Sequence, residues 1–453
     1  MTEIQLLNPS TGVAIGTVVG LDLQATDQAI DRASAAFPSW AAVAPGDRAR
    51  LLRRFADLVD ANLEELAQLE VTNSGHTISN ARWEAGNVRD LLEFSAGGIE
   101  RLYGHQIPVP GGIDLTFREP LGVVGIIVPW NFPMPIAAWG FAPALAAGNT
   151  VVLKPAEVTP LTAIRLGALA LEAGIPEGVF QVLPGQGSIV GARFVSNEKV
   201  AKICFTGSTP VGTSIMAGCA PQVKRVTLEL GGKSANIVFA DSDLERAAAT
   251  APYGVFDNAG QDCCARSRIL VEERAYERFM ELLEPAVNGV VVGDPSLDST
   301  EMGPLITEAH KAKVSSYLDS EAEVAFQGSC PDGPGFWFPP TVLTSTDPRS
   351  KVVTEEIFGP VVVVQRFNGE AEALRMANDT PFGLSGSIWT NDLGRAIRVA
   401  RGVEAGNLSV NSHSSVRYWT PFGGMKQSGI GRELGPDALA NFTEVKNVFI
   451  ATS

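Results

Sequence analysis

The stretch LGVVGIIVPWNFPMPIAAWGFAPALAAGNTVVLKP, residues 121–155, decides the fold class. Two β-type apolar runs, LGVVGIIVP and NTVVLKP, flank an alanine-rich segment of helical character. The part up to residue 148 is long enough to cross a membrane. It is interrupted, however, by residues that break a spanning helix, namely Pro129, Asn131, Pro133, Pro135 and Pro143. We therefore predict a strand, a loop, a helix and a second strand.

The same alternation continues along the chain. The β-type runs VFQVLPG, VAKICFTG, RVTLELGG and ANIVFA follow, separated by helical segments such as TAIRLGALALEAG. Short strands that alternate with helices predict a parallel, doubly wound α/β sheet. After Gly232, helices in LERAAATAPYGVFDNAG and AYERFMELLEPAVNGV and strands in SRILVEE, VVVVQRF, GSIWTN and NLSVNS predict another α/β domain. The periodicity of residues 26–104 predicts two or three packed helices ahead of both.

Two strand-like segments lie outside both series. One is IPVPGGIDLTFREP, just before residue 121, and the other is the alternating tail that follows Pro436. Because an unpaired strand edge readily pairs with another chain, we expect these segments to meet a second subunit in a homodimer or homotetramer.

Composition excludes several classes of protein. The 453 residues carry 35 Lys and Arg against 50 Asp and Glu, and a net charge of −15 would repel a nucleic-acid backbone. The five cysteines lack metal-ligand spacing, so no metal site is predicted. The N-terminus lacks the regions of a signal peptide. These features predict a cytoplasmic protein that binds a small molecule rather than nucleic acid or a membrane.

Four motifs carry candidate chemistry, and each has an ordinary structural alternative. FTGSTPVG is a glycine turn before a helix, which either binds phosphate or simply turns the chain. In KPAE, Glu157 is either a ribose ligand or a solvated loop carboxylate. In LELGGKS, Glu229 is either a desolvated general base or a strand-end residue facing water. In PWNFP, Asn131 is either a fixed donor to an oxyanion or a turn asparagine.

Two adjacent cysteines follow in FDNAGQDCCARSR, residues 256–268. A buried free cysteine is usually an inert small hydrophobe. The stretch alone does not decide whether Cys263 or Cys264 reacts.

In their order, PWNFP, KPAE, FTGSTPVG, LELGGKS, GQDCC, EEIFGPV and PFGGMKQSGIGRE resemble the motifs of the NAD(P)-dependent aldehyde dehydrogenase superfamily over essentially the whole chain. The 34 residues from Glu229 to Cys263 resemble the family's interval between general base and nucleophile. The resemblance implies a Rossmann-like NAD domain in residues 1–100 and 122–230 and an α/β catalytic domain in residues 231–421. It also implies a small β oligomerisation domain from residues 101–121 and 436–453.

The resemblance further implies the roles of individual residues. Cys263 attacks an aldehyde, Asn131 and the Cys263 backbone N–H hold the oxyanion, and hydride passes to NAD. Glu229 then activates the water that hydrolyses the thioester to a carboxylic acid. The implied cofactor residues are Ile127, Trp130, Lys154, Glu157, Gly187, Gly207, Ser208, Leu230, Glu356 and Phe358. The carboxylate of Glu157 would repel the 2′-phosphate of NADP, which favours NAD.

One position departs from the family pattern. Many relatives carry a lysine after the tryptophan that corresponds to Trp139, whereas this chain has Gly140. A proton relay through that lysine is therefore in doubt. Glu433 matches the other carboxylate proposed for such a relay.

The aldehyde itself is the most open question. The residues expected to line the substrate tunnel are Phe132, Trp139, Asp257, Asp262, Trp419 and Phe422. A carboxylate in a narrow apolar tunnel favours a cationic partner, such as an ω-aminoaldehyde or a betaine-type aldehyde, with Trp139, Tyr418 and Trp419 as cation-binding aromatics. Alternatively, Asp257 caps backbone amides while Arg266 or Arg417 neutralises Asp262.

Other substrate classes stay open as well. An arginine in the tunnel, such as Arg417, would favour an acidic semialdehyde such as succinate semialdehyde. A broad aliphatic specificity is a further alternative. CoA-acylating relatives typically lack the glutamate found here as Glu229, so its presence favours hydrolysis.

We predict that Cys263→Ala abolishes aldehyde oxidation and leaves NAD binding intact. The reason is that the interval from Glu229 to Cys263 resembles the family's interval between general base and nucleophile. Cys264→Ala is the matched control and should keep a substantial fraction of activity. NADH absorbance measures turnover and fluorescence titration measures NAD binding. Loss of turnover in a folded Cys264→Ala variant would reverse the assignment.

Overall fold

Strands and helices alternate along most of the chain in the computed structural model, which describes residues 2–318, 322–345, 347–414 and 416–452. In chain order, the strands are β1 (Thr2–Leu7), β2 (Ala14–Gly20), β3 (Gln106–Val109), β4 (Gly112–Pro120), β5 (Val123–Ile127), β6 (Thr150–Lys154), β7 (Phe180–Val182), β8 (Val200–Thr206), β9 (Arg225–Glu229), β10 (Ala235–Val238), β11 (Arg268–Glu272), β12 (Glu323–Gln327), β13 (Thr341–Thr344), β14 (Val361–Phe367), β15 (Phe382–Gly383), β16 (Ser385–Trp389), β17 (Asn407–Val410), β18 (Met425–Lys426), β19 (Gly429–Ile430) and β20 (Thr443–Ala451).

The helices lie between these strands and in a group near the N-terminus. They are α1 (Leu23–Ala41), α2 (Pro45–Ala61), α3 (Leu63–Ser74), α4 (Ile78–Gly98), α5 (Pro133–Ala146), α6 (Leu161–Glu172), α7 (Ala192–Ser196), α8 (Thr209–Cys219), α9 (Leu244–Phe256), α10 (Tyr276–Asn288), α11 (Glu308–Ser315), α12 (Lys351–Thr354), α13 (Gly369–Asn378) and α14 (Leu393–Gly402). Among the described residues, no helix is both long and apolar enough to cross a membrane.

The first large sheet has six strands in the order β19-β9-β8-β5-β6-β7. The five strands from β5 to β9 are parallel, and only the short β19 is antiparallel. The chain starts in the middle at β5, winds outward to β7, and returns to build β8 and β9 on the other side. This reversal places a crevice at the carboxyl ends of β5 and β8, where ligands bind in open α/β sheets.

The second large sheet has seven strands in the order β12-β13-β14-β11-β10-β16-β17. All are parallel to their neighbours except β12 at the edge. The run ANIVFA, which we read as part of the first series, forms β10 in this second sheet. The turn after β9 therefore carries the chain from one sheet to the other.

The N-terminal region differs from the prediction of two or three helices. A β1–β2 hairpin comes first, and four helices, α1 to α4, follow. The long periodic segment divides at Asn62, whose side-chain Nδ2 donates to the Leu58 carbonyl at the end of α2. Gly75, with φ of 78°, then ends α3 in a left-handed conformation that glycine adopts readily.

The two segments outside the large sheets pair with each other. β4 lies between β3 and β20, and nine residue pairs join β4 to β20, from Gly112 with Ala451 to Pro120 with Thr443. The two segments therefore form one small sheet whose edge strands are β20 and β3. The small sheet still exposes apolar side chains, namely Ile107, Ile113, Phe117, Val445, Phe449 and Ile450.

Candidate functional site

The predicted cofactor residues of the first sheet meet at one edge. Because carboxyl ends of parallel strands lie together, residues from five different loops converge there. Ile127 ends β5, Lys154 ends β6, Gly187 follows β7, Gly207 and Ser208 join β8 to α8, and Leu230 follows β9. Trp130 lies in the loop after β5.

Glu157 and Gly187 are in direct contact at this edge. The Gly187 backbone N–H donates to Glu157 Oε1 at 3.0 Å. Lys154 is buried beside them, and its Nζ donates to the Pro155 carbonyl at 2.8 Å. Burial lowers the pKa of Lys154, which the nearby Glu157 carboxylate partly opposes. A Cβ on Gly187 would come no closer to a neighbour than 3.9 Å, to Lys154 Cε. The space beside Gly187 is therefore open.

The turn from β8 to α8 suits a phosphate group. The Gly207 N–H donates to the Glu229 carbonyl at 3.0 Å, which ties the turn to the end of β9. Ser208 is the extended residue that begins α8, and its side chain does not cap the helix. The positive end of the helix dipole therefore points toward the converging loops.

The second sheet contributes Glu356 and Phe358. Glu356 Oε1 accepts a hydrogen bond from the Gly232 N–H at 2.8 Å, and burial raises the pKa of this carboxyl. Phe358, with φ of 60°, packs edge-to-face on Trp130 with ring centroids 5.4 Å apart. His310 of α11 contacts Trp130 and faces the Phe358 carbonyl, with Nε2 at 2.7 Å. No motif pointed to His310, because its partners lie far away in the chain.

These residues fit NAD as a ligand. A helix N-terminus attracts phosphates, the open space beside Gly187 admits a ribose next to Glu157, and the buried Glu356 carboxyl accepts hydrogen bonds. One group of these residues follows the strands of the first sheet, and the other, Glu356 and Phe358, belongs to the second sheet. The two groups lie on either side of the turn after β9.

The cysteine loop lies against Asn131. The Asn131 side-chain Nδ2 donates to the Gln261 carbonyl at 3.0 Å, and the Asn258 side-chain Nδ2 donates to the Asn131 carbonyl at 2.7 Å. An amide nitrogen carries two protons, so this bond leaves a second donor on Asn131. Cys263 is partly exposed whereas Cys264 is buried. Hydrogen bonding to Cys264, followed by burial, raises the pKa of the Cys263 thiol.

Cys263 opens into a cavity of about 380 Å³. The cavity is lined by five of the six predicted tunnel residues, namely Phe132, Trp139, Asp257, Asp262 and Phe422, together with Trp83, Tyr253, Arg266 and His413. Trp419 does not line it. Trp419 is exposed in a neighbouring groove with Arg417 and Tyr418, next to Trp83 and Val416, which both spaces share.

The two aspartates of the cavity have protein partners. Asp257 Oδ1 accepts from Asn80 Nδ2 at 2.6 Å and from the Asn258 N–H at 3.0 Å. Asp262 Oδ1 accepts from the Cys264 N–H at 2.9 Å. Burial raises the pKa of Asp257 to about 6 and also raises that of Asp262, which Arg266 partly opposes.

Arg266 is the cationic side chain among the described residues that line this cavity. Its three guanidinium nitrogens donate to Ser387 Oγ at 3.0 Å, to the Cys264 carbonyl at 2.5 Å and to the His413 carbonyl at 2.9 Å. The guanidinium is therefore occupied in holding the cysteine loop.

Glu229 and Glu433 form a buried acidic pair. Glu229 is 2% exposed, and neither of its carboxylate oxygens has a hydrogen-bond partner among the described residues. A Cβ on Gly423 would lie 2.7 Å from Glu229 Oε1, so the carboxyl faces that glycine rather than bonding Cys263. Burial, and then the Glu433 carboxylate, raise the pKa of Glu229 well above its usual range.

Glu433 is held by backbone pairing with Phe422, in both directions at 2.8 Å. Burial raises the pKa of Glu433 to about 7, although the Lys202 ammonium opposes the shift. Lys202 Nζ donates to Thr227 Oγ1 at 2.8 Å and to the Asn441 carbonyl at 3.1 Å. The position of Lys202 inside the apolar run VAKICF was the sequence signal from which a buried cation could have been predicted. A Cβ on Gly140 would lie 2.8 Å from Ile126 Cδ1, so a side chain at this position requires Ile126 to shift.

Comparison with known proteins shows the family of this chain. The model of the aldehyde dehydrogenase family matches residues 1–448. The chain belongs to this family. An aldehyde dehydrogenase of Emericella nidulans is 40% identical over 98% of this chain and 91% of its own length. A phenylacetaldehyde dehydrogenase of Pseudomonas fluorescens is 40% identical over 99% and 92%.

Solved aldehyde dehydrogenases share the fold. Betaine aldehyde dehydrogenase of Staphylococcus aureus, crystallised with NAD+, is 37% identical, has a TM-score of 0.97, and matches 100% of this chain and 92% of its own. The predicted α/β aldehyde dehydrogenase fold is therefore confirmed. This aldehyde dehydrogenase is an NAD-dependent oxidoreductase.

We predict that Glu433→Gln changes how stability depends on pH. Folded Glu433 keeps its proton up to about pH 7, whereas an unfolded glutamate loses it near pH 4.5, so the native state loses stability as pH rises through this window. Over this pH range, the free energy of unfolding of the glutamine variant should fall by roughly 1–3 kcal/mol less than that of the wild type.

Calorimetric Tm between pH 5 and pH 8 measures this effect. Glu177→Gln, at an exposed glutamate, is the matched control and should follow the wild type. An unchanged pH dependence in Glu433→Gln would contradict the raised pKa.

Proposed function

We propose that the aldehyde is oxidised on Cys263, with Asn131 as the oxyanion donor and Glu229 as the base. The observation that carries this proposal is the Asn131 amide, anchored at 3.0 Å to the carbonyl two residues before Cys263. Cys263 and Cys264 both line the cavity that would hold the aldehyde, but Cys263 is partly exposed whereas Cys264 is buried. The geometry supports Cys263 as the attacking sulfur.

The chain's own groups account for the covalent steps. The Cys263 thiol is neutral at rest and must lose a proton before its sulfur attacks the carbonyl carbon. The remaining Asn131 N–H and the Cys263 N–H then stabilise the oxyanion of the adduct. Bound NAD supplies the acceptor for the hydride that leaves as the adduct becomes a thioester.

Glu229 is proposed to take protons in this sequence. Its raised pKa makes the carboxylate a stronger base than an exposed glutamate, and both of its oxygens are without a protein partner in the described residues. It removes a proton from the water that attacks the thioester carbon, and the carbon–sulfur bond breaks to release the acid. The neighbouring Glu433, with a pKa of about 7, is suited to pass the proton on.

We predict that Glu229→Gln forms one NADH per site and then stops, because hydride loss precedes the hydrolysis that needs the base. Steady-state turnover should fall by at least about 100-fold, the usual contribution of a general base. Stopped-flow NADH absorbance separates burst from turnover. A burst and a steady state that fall together would argue against a hydrolytic role.

For the substrate, we propose a cationic aldehyde of the ω-amino or betaine type. Two carboxyl groups, Asp257 and Asp262, face the cavity against one guanidinium, and that guanidinium is already engaged by Ser387 and two carbonyls. A carboxylate substrate would meet repulsion there. Trp83, Trp139 and Tyr253 line the same cavity and can bind a cation through their ring faces.

We predict that 4-aminobutyraldehyde or betaine aldehyde exceeds succinate semialdehyde by at least about tenfold in kcat/KM, the effect of roughly one favourable charge contact. NADH formation with these aldehydes, phenylacetaldehyde and hexanal, each with and without CoA, is the measurement. Asp262→Asn keeps the acceptor for the Cys264 N–H and should weaken only the cationic substrates. Preference for hexanal, phenylacetaldehyde or the semialdehyde would defeat the substrate class, and dependence on CoA would defeat hydrolysis.

We also propose NAD over NADP, residues 1–100 and 122–230 as the NAD domain, and residues 231–421 as the catalytic domain. The Glu157 carboxylate beside Gly187 supports the cofactor preference, and the two parallel sheets support the division. A cytoplasmic location is proposed from the five free cysteines, which suit a reducing compartment.

A homodimer or homotetramer is proposed through the small sheet of residues 101–121 and 436–453. Exposed apolar residues on β4 and β20, such as Phe117 and Phe449, support it, as does the outer edge of β20. Light scattering measures the mass in solution, and the mass of a single chain would contradict the proposal.

A further inference from the structure

Cys263 and Cys264 are the two central residues of a tight turn. The Ala265 N–H closes the turn by donating to the Asp262 carbonyl at 3.0 Å. The Cys264 N–H donates to Asp262 Oδ1 at 2.9 Å. The carbonyl of the same cysteine accepts from Nη1 of Arg266 at 2.5 Å. Both backbone groups of Cys264 are therefore held, one by an aspartate inside the turn and one by an arginine that follows it.

Arg266 joins this turn to the second large sheet. Its Nε donates to Ser387 Oγ in β16 at 3.0 Å, and its Nη2 donates to the His413 carbonyl after β17 at 2.9 Å. Its backbone N–H donates to the Gly254 carbonyl in α9 at 2.8 Å. A guanidinium group is planar and rigid, so acceptors on separate segments fix its position and its orientation.

Ser387 and His413 also contact each other behind the guanidinium. Ser387 Oγ lies 3.0 Å from His413 Nδ1. Because the Nε of Arg266 can only donate, the hydroxyl accepts from it and keeps its own proton for the imidazole. Burial lowers the pKa of His413 to about 3, so the ring is neutral and can accept that proton. A Cβ on Gly254 would lie 2.7 Å from His413 Nδ1, which shows that α9 packs directly on the ring.

The position of Arg266 suggests a role beyond stability. Its side chain is 3% exposed and lines the same cavity as Cys263. Burying a cation costs free energy that its hydrogen bonds only offset, whereas an apolar side chain would fill the same space without that cost. What the arginine adds is a directional hold on the Cys264 carbonyl.

We propose that Arg266 is a positioning residue for Cys263: it fixes the turn through the Cys264 carbonyl, and so sets the direction in which the Cys263 thiol and N–H face the aldehyde. The inference rests on the proposed role of Cys263 as the nucleophile. Asn131 holds the chain ahead of the turn, through the Gln261 carbonyl at 3.0 Å, and Arg266 holds the chain behind it.

Removing the fork of Arg266 tests the proposal. In Arg266→Met, the rate of the first NADH formed per NAD-binding site should fall by at least about tenfold, because small displacements of reacting atoms slow attack by up to about 100-fold. NAD affinity should be unchanged. Stopped-flow absorbance measures the rate, and fluorescence titration with NAD counts the folded sites. A methionine variant as fast as the wild type would overturn the positioning role.

Arg266→Lys separates geometry from charge. Lysine keeps the positive charge beside Asp262 but lacks the planar fork, so this variant should be about as slow as Arg266→Met. A lysine variant with the wild-type rate would show that charge alone suffices, and it would overturn the proposal.

Chemical rescue distinguishes the lost hydrogen bond from a general packing defect. Arg266→Ala opens space that is continuous with the cavity of about 380 Å³, which a guanidinium ion can enter. Guanidinium chloride, far below denaturing concentrations, should raise the first-turnover rate of this variant by roughly fivefold, the effect of about one hydrogen bond. Methylammonium at the same ionic strength carries the charge without the fork and should have no effect. Equal recovery with both ions, or none with guanidinium, would overturn the proposal.

A double-mutant cycle tests the contact that orients the arginine. Ser387→Ala removes one acceptor and keeps Arg266, so the first-turnover rate should fall by roughly threefold, less than on losing the fork. It also keeps the test possible if Arg266→Met does not fold. In the Arg266→Lys background the serine change should cause no further loss, because Ser387 acts through the guanidinium. Losses that multiply would overturn this link.

The failure of the inference and that of the proposed function are distinguishable. NADH formation that persists in Cys263→Ala would refute the proposed function. An inactive Cys263→Ala together with a fast Arg266→Met would overturn only the positioning role.

Arg48→Met is the matched control. Arg48 is also buried, and it donates to the Ala146 carbonyl at 2.9 Å and to the Val43 carbonyl at 3.0 Å, but it is outside the set of residues that line the cavity. Stability should fall, whereas the first-turnover rate per NAD-binding site should be unchanged. A loss equal to that of Arg266→Met would assign the effect to any buried arginine and overturn the proposal.

Discussion

The close approach of backbone at Gly231–Gly232 is the constraint on which the active region depends. A Cβ on Gly231 would lie 2.4 Å from Glu356 Oε2, and a Cβ on Gly232 would lie 2.4 Å from the Cys263 carbonyl oxygen. Only glycine allows both approaches. The turn also joins the end of β9 at Glu229 to the start of β10, and so it connects the first large sheet to the second. Ser428 Oγ secures it by donating to the Gly231 carbonyl at 2.6 Å.

The second general feature is the number of carboxyl groups buried around this turn. Burial raises the pKa values of Glu229, Glu356, Glu433, Asp257 and Asp262. Removing water from a carboxylate disfavours its negative charge, which raises the pKa to about 6 for Asp257 and to about 7 for Glu433. A carboxyl group with a pKa of about 7, such as that of Glu433, can take up and release protons at physiological pH, which an exposed carboxylate does poorly. Burying these carboxyl groups lowers the stability of the folded protein, and it provides groups that can transfer protons in the active region.

Most of the fold was readable because its evidence is local. Each parallel strand is a short apolar run bounded by a turn. The alanine-rich, apolar segment that predicted α5 forms a helix that is buried along its whole length. Periodicity did not show that one long helical segment divides into α2 and α3 at Asn62, where the backbone leaves the helical conformation and the side chain bonds the Leu58 carbonyl. It also did not assign β10 to the second sheet, because strand pairing is decided by partners far away in the chain.

The sequence by itself determined the α/β class, the family, and the motifs that carry Cys263, Glu229 and Asn131, because motif order and spacing are properties of the chain. Tertiary structure alone decided which groups meet. His76 packs on Phe132 across 56 residues, His310 faces Phe358 across 48, and Arg266 is engaged by Ser387 across 121. Trp419 was expected to line the substrate tunnel, yet it lies in the adjacent groove. Burial and contact depend on how distant segments pack, and no local pattern records that packing.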